Sequence, residues 1–196
     1  ADATALEGLP AQALYASGAE YAALGTEMYA AMARGERITR ELQMRRADGS
    51  VFWCELSGQA VAGQPGVDSV WVGQDVSERR AAQERMLWQA QHDALTRLPN
   101  RYALDEWLPQ RLAAAQSSGE MLAVALLDLD DFKTINDQWG HAAGDAVLQQ
   151  VAEHLGAALG PHDLLARIGG DEFVLVLQDL HGVEQAEQRL QALDAH

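Results

Sequence analysis

Between residues 12 and 34, Tyr21, Leu24, Met28 and Met32 recur three and four apart, the spacing of one helix face, and Arg34-Gly35 closes the run. From Glu36 the period drops to two. Ile38, Leu42 and Met44 fall on even positions among polar neighbours, as in a half-buried strand. Asp48-Gly49 is a hairpin signal and leads into Val51 to Leu56, rich in aromatic and β-branched residues. A Gly/Pro/Asp loop from Gly63 to Ser69 precedes a third strand, Val70 to Gln74. Antiparallel strands closing a small domain are predicted, with Trp53, Cys54 and Trp71 as core or sheet-face residues. Asp75-Val-Ser-Glu78 then offers an acceptor and, three residues on, a Glu, the pattern of a helix start. Arg79 to Gln91 is polar and helix-favouring, with Ala82, Met86 and Ala90 four apart, and suits a stiff connector.

The second half has a different rhythm. After Pro99-Asn100, the residues Leu104, Trp107, Leu108, Leu112 and Ala115 form one apolar stripe that Ser117-Ser118-Gly119 ends. Met121 to Leu127 is a continuous apolar run of strand length, which predicts a buried central strand. A helix with Val147, Leu148, Val151 and Leu155 inward follows. Leu164 to Ile168, Gly169-Gly170 and Phe173 to Leu177 form a predicted β-hairpin, and Val183 to Ala195 is helix-like. Helices covering a sheet, an α/β layer, is the expected architecture.

Composition narrows the partners. Of 196 residues, 14 are Lys or Arg and 29 Asp or Glu, a formal charge of −15. Such a surface repels nucleic acid and anionic membrane, and it would also repel a triphosphate. A nucleotide site must therefore work through a bound cation or local backbone dipoles. Cys54 is the only cysteine, so neither an intramolecular disulfide nor a zinc cluster is available. No apolar run approaches the roughly 20 residues that span a bilayer, and a reducing, cytoplasmic setting fits. The chain starts at Ala1 rather than Met and stops at His196 inside a helix-like stretch, as a piece of a longer protein would.

Acidic clusters stand where apolar strands end. Asp128, Asp130 and Asp131 follow one strand, and Asp171 with Glu172 sits at the hairpin tip. If the two strands are neighbours, Asp128 and Asp171 would share a hard divalent cation, and Mg²⁺ held this way also takes phosphate oxygens. Single acidic residues at loop tips are ordinarily turn formers, which is how Asp130 is read. Lys133, the only lysine, is either a surface charge or a phosphate contact. Asn136 and Asp145 are either helix-end caps or contacts to a purine edge, Asp145 accepting from guanine N–H groups. Gly169-Gly170 makes a turn and also lets a nucleotide approach the backbone.

Four segments together resemble one family. His92-Asp-Ala-Leu-Thr-Arg-Leu-Pro-Asn-Arg101, Asp128-Leu-Asp-Asp-Phe-Lys-Thr-Ile-Asn-Asp137, Gly140-His-Ala-Ala-Gly-Asp145 and Arg167-Ile-Gly-Gly-Asp-Glu-Phe173 are similar, in order and spacing, to the motifs of GGDEF diguanylate cyclases. The resemblance implies that Asp128 and Asp171 bind Mg²⁺ (or Mn²⁺) with the Leu129 carbonyl, and that Asn136 and Asp145 read guanine. It implies that Phe132 and Lys133 contact the triphosphate and that Gly169 and Gly170 lie along the nucleotide. Glu172 would assist the metal or the 3′-hydroxyl, with Asp171 and Lys133 also in the catalytic set. The family's product-inhibition motif, Arg-x-x-Asp, corresponds here to Gly160-Pro-His-Asp163, which keeps the Asp and lacks the Arg. Arg97 stands where many relatives have Gly. The family's later strand-helix region, with a basic pair that grips phosphate, has no counterpart before His196.

Asp48-Gly-Ser-Val-Phe-Trp53 and Gln74-Asp-Val-Ser-Glu-Arg79 resemble, more weakly, the C-terminal part and exit motif of a PAS sensor domain. The expected organisation is α/β (α+β): a partial PAS-like antiparallel sheet over 1–76, a connecting signalling helix over 77–91, and a nucleotidyl-cyclase or palm-like sheet flanked by helices over 92–196, C-terminally incomplete. The expected function is a sensor-regulated diguanylate cyclase that condenses two GTP into cyclic di-GMP in a homodimer. The alternative is a GTP-binding or dimerising module that controls another domain such as a downstream phosphodiesterase.

Overall fold

The computed structural model describes residues 8–60 and 69–194. The loop expected from Gly63 to Ser69 lies outside the described residues except for Ser69 itself. A short 3-10 turn, Ala11–Leu14, comes first. Then follow α1 (Gly18–Ala33), β1 (Ile38–Arg45), β2 (Val51–Ala60), β3 (Ser69–Asp75) and α2 (Ser77–Gln91). The remainder is α3 (Arg101–Ser118), β4 (Met121–Asp128), α4 (Phe132–Trp139), α5 (His141–Ala157), β5 (Leu164–Gly169), β6 (Glu172–Leu180) and α6 (Val183–Asp194). Contacts divide the chain into two compact units, Ala1–Glu84 and Arg85–His196, with the boundary inside α2. Among the described residues no helix is long and apolar enough to cross a membrane.

The first unit is an antiparallel sheet in the order β1-β2-β3. The two-residue period turns Ile38 and Leu42 inward, where they meet Cys54 and Leu56 of β2 and Met28 and Ala31 of α1. Cys54 is buried in this core, and burial pushes its thiol above the ordinary range. Trp71 lies over its register partner Gly58, where an added Cβ would stand 2.4 Å from the indole. The helix start works through Asp75 and Ser77. The Asp75 carboxylate accepts from Ser77 N at 3.0 Å and pairs with Arg46, while Ser77 Oγ accepts from Trp53 N at 3.0 Å. Arg80 stacks on the Trp53 ring, 3.9 Å from its centroid, so Trp53 serves the sheet face.

The second unit is an antiparallel sheet in the order β4-β6-β5. Its centre is β6. Phe173, Leu175 and Leu177 alternate onto one face, beneath Leu148 and Ala152 of α5 and Ala186 of α6. Val174 and Val176 take the other face, against Leu104 of α3. Fully burying the Phe173 ring alone contributes roughly 2 kcal/mol.

The expectation that Met121 to Leu127 is the central strand is corrected. Among the described residues that strand, β4, pairs only with β6, and Val124 and Leu126 are 52% and 65% exposed. An apolar run shows that both faces tolerate apolar contact, but it does not say which strands lie on either side. Leu112, expected on the inward stripe of α3, is likewise exposed. The ends of α3 follow the sequence: Asn100 Oδ1 accepts from Ala103 N at 3.0 Å, and Gly119 closes the helix at φ 76°.

Candidate metal and nucleotide site

The strand register assembles the acidic end of the sheet. In the antiparallel β4–β6 pair, Asp128 stands directly opposite Glu172. Directly paired residues share a sheet face, so these two carboxylates lie side by side, with Asp171 one residue back in the turn. The sequence paired Asp128 with Asp171; the register adds Glu172 as the direct partner of Asp128. Among the described residues no three His, Cys, Asp or Glu side chains gather tightly enough to form a metal cage. That donor set still suits Mg²⁺, which binds one or two carboxylates and completes its shell with water and phosphate oxygens. The Leu129 carbonyl already accepts from Phe132 N at 3.3 Å and keeps a second lone pair.

Beyond β4 the chain reverses through Asp131, at φ 56°, straight into α4. Phe132 opens that helix with its side chain packed against the larger core. The ring therefore serves packing in the core. Lys133, one residue on, is exposed. Asn136 is half-buried on α4 and Asp145 exposed on α5. Gly140, at φ 82°, separates the two helices.

Gly144, inside the Gly140 to Asp145 motif, lets these helices come together. It is buried, and a Cβ there would lie 2.1 Å from Asn136 Oδ1 and 3.2 Å from Phe132 Cζ. A glycine inside a helix costs roughly 1 kcal/mol relative to alanine, and that cost was the available signal. Gly169 and Gly170 form the exposed turn between β5 and β6, at φ 151° and 52°.

Two motif residues without an assigned role meet at this turn. Arg167 Nη1 donates to Asp93 Oδ1 at 2.8 Å, while its Nε and Nη2 both donate to Gly170 O, at 3.0 and 2.7 Å. Burial alone would raise the Asp93 carboxyl. Bonds from Thr96 N, Thr96 Oγ1 and Arg167 outweigh it and hold the group below the usual carboxylate range. Asp163, in the Gly160-Pro-His-Asp163 segment, has a side chain only 2% exposed. It accepts from Gly160 N at 2.7 Å and Gln178 N at 3.0 Å, and it pairs with Arg189. Asp163 is thus a structural tie between the β5 entry loop, β6 and α6.

Fold and strand ends define an antiparallel α/β domain that carries a carboxylate pair and a bare glycine turn at one end of its sheet. The chain belongs to the GGDEF family: residues 90–196, more than half of it, match the family described as diguanylate cyclase, GGDEF domain. It is 44% identical over 120 residues to the probable diguanylate cyclase DgcE of Escherichia coli, covering 61% of this chain and 11% of that protein. It is also 44% identical over 97 residues to the bifunctional diguanylate cyclase/cyclic di-GMP phosphodiesterase MucR of Pseudomonas aeruginosa, covering 50% and 14%. Among solved structures, the coiled coil and GGDEF domain of DgcB from Caulobacter crescentus, in complex with c-di-GMP, is similar at 34% identity. Its TM-score is 0.56, over 60% of this chain and 61% of that one. The chain spans between 11% and 21% of the length of the curated relatives it matches.

Proposed function

We propose that the protein is a sensor-regulated diguanylate cyclase that condenses two GTP into cyclic di-GMP with release of pyrophosphate. The observation that carries this reading is the pairing of Asp128 with Glu172 across β4 and β6, beside Asp171 and the glycine turn. Asp128, Asp171 and the Leu129 carbonyl would hold Mg²⁺ or Mn²⁺, with Glu172 assisting. A bound divalent cation would neutralise triphosphate charge that a surface of net charge −15 otherwise repels.

The chain's own residues bind and orient the nucleotide. Lys133 and the backbone of Phe132 meet the phosphates, Asn136 and Asp145 take the guanine edge, and Gly169-Gly170 lies along the nucleotide. Each domain holds one GTP, so two copies must face each other. The 3′-oxygen of each GTP attacks the α-phosphorus of the other, and the bond to pyrophosphate breaks. Catalysis is then positioning and charge neutralisation, with no covalent bond to the protein. The first unit, PAS-like in its exit motif, would bias the facing of the two domains through α2. A cytoplasmic setting supplies the GTP.

Incubating the full-length protein with GTP and Mg²⁺ should yield cyclic di-GMP, and Asp171→Ala should abolish it while leaving the circular dichroism spectrum unchanged. A wild type that makes no product under any applied stimulus would sink the reading. MucR, named as bifunctional, and the cyclic di-GMP phosphodiesterase PdeB of Shewanella oneidensis, 45% identical over 113 residues, favour a second reading. There the domain would bind GTP or dimerise and control a phosphodiesterase elsewhere in the protein. GTP binding without turnover, together with phosphodiesterase activity that responds to GTP, would establish it.

A further inference from the structure

The entry segment His92 to Arg101 and the hairpin segment Arg167 to Phe173 are far apart in sequence, and the reaction scheme uses neither Asp93 nor Arg167. Besides a 3.4 Å bond from Arg101 Nε to Ile168 O, they are joined by the Arg167 guanidinium. Arg167 reaches Asp93 on one side and, through two nitrogens, the Gly170 carbonyl on the other; its backbone N donates to Pro99 O at 2.9 Å. Asp93 Oδ1 is itself oriented by Thr96, with Thr96 N at 2.9 Å and Thr96 Oγ1 at 2.7 Å. The ion pair is shielded, with the Arg167 side chain 12% and the Asp93 side chain 24% exposed.

The Gly170 carbonyl belongs to the peptide group that leads into Asp171. A turn of two glycines has wide backbone freedom, and left alone its peptide planes would rotate among many states. Two donors from a planar fork remove that freedom at one plane. The peptide is trans, so a carbonyl held toward Arg167 turns the Asp171 N–H to the opposite side. It also fixes the point from which the Asp171 side chain departs.

We propose that Arg167 and Asp93 are positioning residues for the metal and nucleotide site: Arg167 locks the Gly170–Asp171 peptide plane, and Asp93, set by Thr96, aims Arg167. Neither touches the substrate. This inference rests on the cyclase reading, because it assigns the lock to the geometry of Asp171 at the reacting phosphate. A plain staple between β5 and the entry turn would contribute stability and leave turnover per folded molecule unchanged. A positioning lock changes turnover more than GTP affinity, since most nucleotide contacts lie on α4 and α5.

The test compares the full-length wild type with Arg167→Lys and Asp93→Asn. Lysine keeps the charge beside Asp93 but cannot present a planar fork to both Asp93 and the Gly170 carbonyl. Turnover in Arg167→Lys should fall by about tenfold or more with GTP affinity changed less than about threefold, as expected for lost alignment. The backbone amide resonances of Gly170 and Asp171 should move, and that of Gly49 in the other unit should not. Asp93→Asn should show a smaller turnover loss of the same kind, and it serves as the test if Arg167→Lys does not fold. Wild-type turnover in Arg167→Lys, or a fall in GTP affinity as large as the fall in turnover, would overturn the proposal. A wild type that binds GTP but makes no product defeats the cyclase reading separately. The Gly170 and Asp171 resonances still decide the lock in that case: if they stay in place in Arg167→Lys, there is none.

Discussion

Two hairpins in this chain are built from similar turn chemistry and differ in what holds the turn: short side chains at one, a single guanidinium at the other. In the first unit, Asp48-Gly49 is closed by its own neighbours. Ser50 donates from N and Oγ to Asp48 Oδ1 at 2.8 and 2.6 Å, Gly49 N donates to Arg46 O, and Arg46 N donates to Ser50 O. Every polar group named there finds its partner within five positions of chain. In the second unit, the Gly170 carbonyl is held by the Arg167 guanidinium, three residues back on β5, which is in turn held by the distant Asp93. Local side chains satisfy a turn that only reverses the chain. A turn whose tip is left bare, and whose geometry is set from behind, has its outer backbone free for a ligand.

The largest effect should separate the hairpins by activity alone. Asp128→Asn removes one of the two carboxylates paired across β4 and β6 and should lower cyclic di-GMP formation by roughly 100-fold or more. Asp128 is exposed, so stability should change by no more than about 0.5 kcal/mol. Asp48→Asn, the counterpart at the other turn, should leave product formation unchanged. Chromatographic product analysis beside thermal melts checks both, and equal activities in the two variants would break the contrast.

A second pair equalises the backbone and varies only the place. Gly49 sits at φ 86° and Gly170 at φ 52°, each with open space where a Cβ would go. Alanine at either position should therefore cost about 1 kcal/mol of conformational strain and little else. Denaturant midpoints should fall alike. On the cyclase reading, turnover should fall only in Gly170→Ala, by about tenfold, because only that turn would orient a metal-binding carboxylate.

How much of this was legible depends on how far each cause lies from its effect. The α3 boundaries were readable because Asn100 and Gly119 act within one turn of themselves. The alternation through β1 was readable because a strand has only two faces. The place of β4 in its sheet was not readable, since burial of Val124 and Leu126 depends on which elements lie alongside them. The acidic site was half legible: the residues stood out as carboxylates at strand ends, but the match of Asp128 with Glu172 needed the register. The packing role of Gly144 against Asn136 and the reach of Arg167 to Asp93 join segments that no local pattern connects.

Acid titration sharpens the contrast further. The Asp93 carboxyl is held below its unfolded value of about 3.9. A depressed folded value means that its stabilisation is complete above the unfolded value and is lost as pH falls through the folded one. At neutral pH, Asp93→Asn should cost about 1–2 kcal/mol, the scale of charged hydrogen bonds to a shielded group. As pH falls below the unfolded value of about 3.9 that gap should begin to shrink, and it should close only once pH has passed below the depressed folded value, where the wild-type carboxyl is also neutral. Urea midpoints measured across pH 2 to 7 test this; a gap that persists at the acid end would mean that Asp93 acts by shape rather than charge.

The smallest effect belongs to the self-contained turn. The Asp48 carboxyl also sits below the ordinary range, first through the Ser50 hydroxyl and then through the Ser50 amide, but it is fully exposed. Solvent screens such a group, so its titration should be visible in its own resonance and scarcely in the stability of the fold. Ser50→Ala removes the hydroxyl bond at 2.6 Å and keeps the amide bond at 2.8 Å. The titration midpoint of the Asp48 side-chain carbonyl resonance should therefore move part of the way back toward about 3.9 and no further. Turnover should not respond, since the bond removed lies wholly within the first hairpin. A turnover change in Ser50→Ala would show that the first hairpin also communicates with the site, and the division between a turn that only folds and a turn that works would fail.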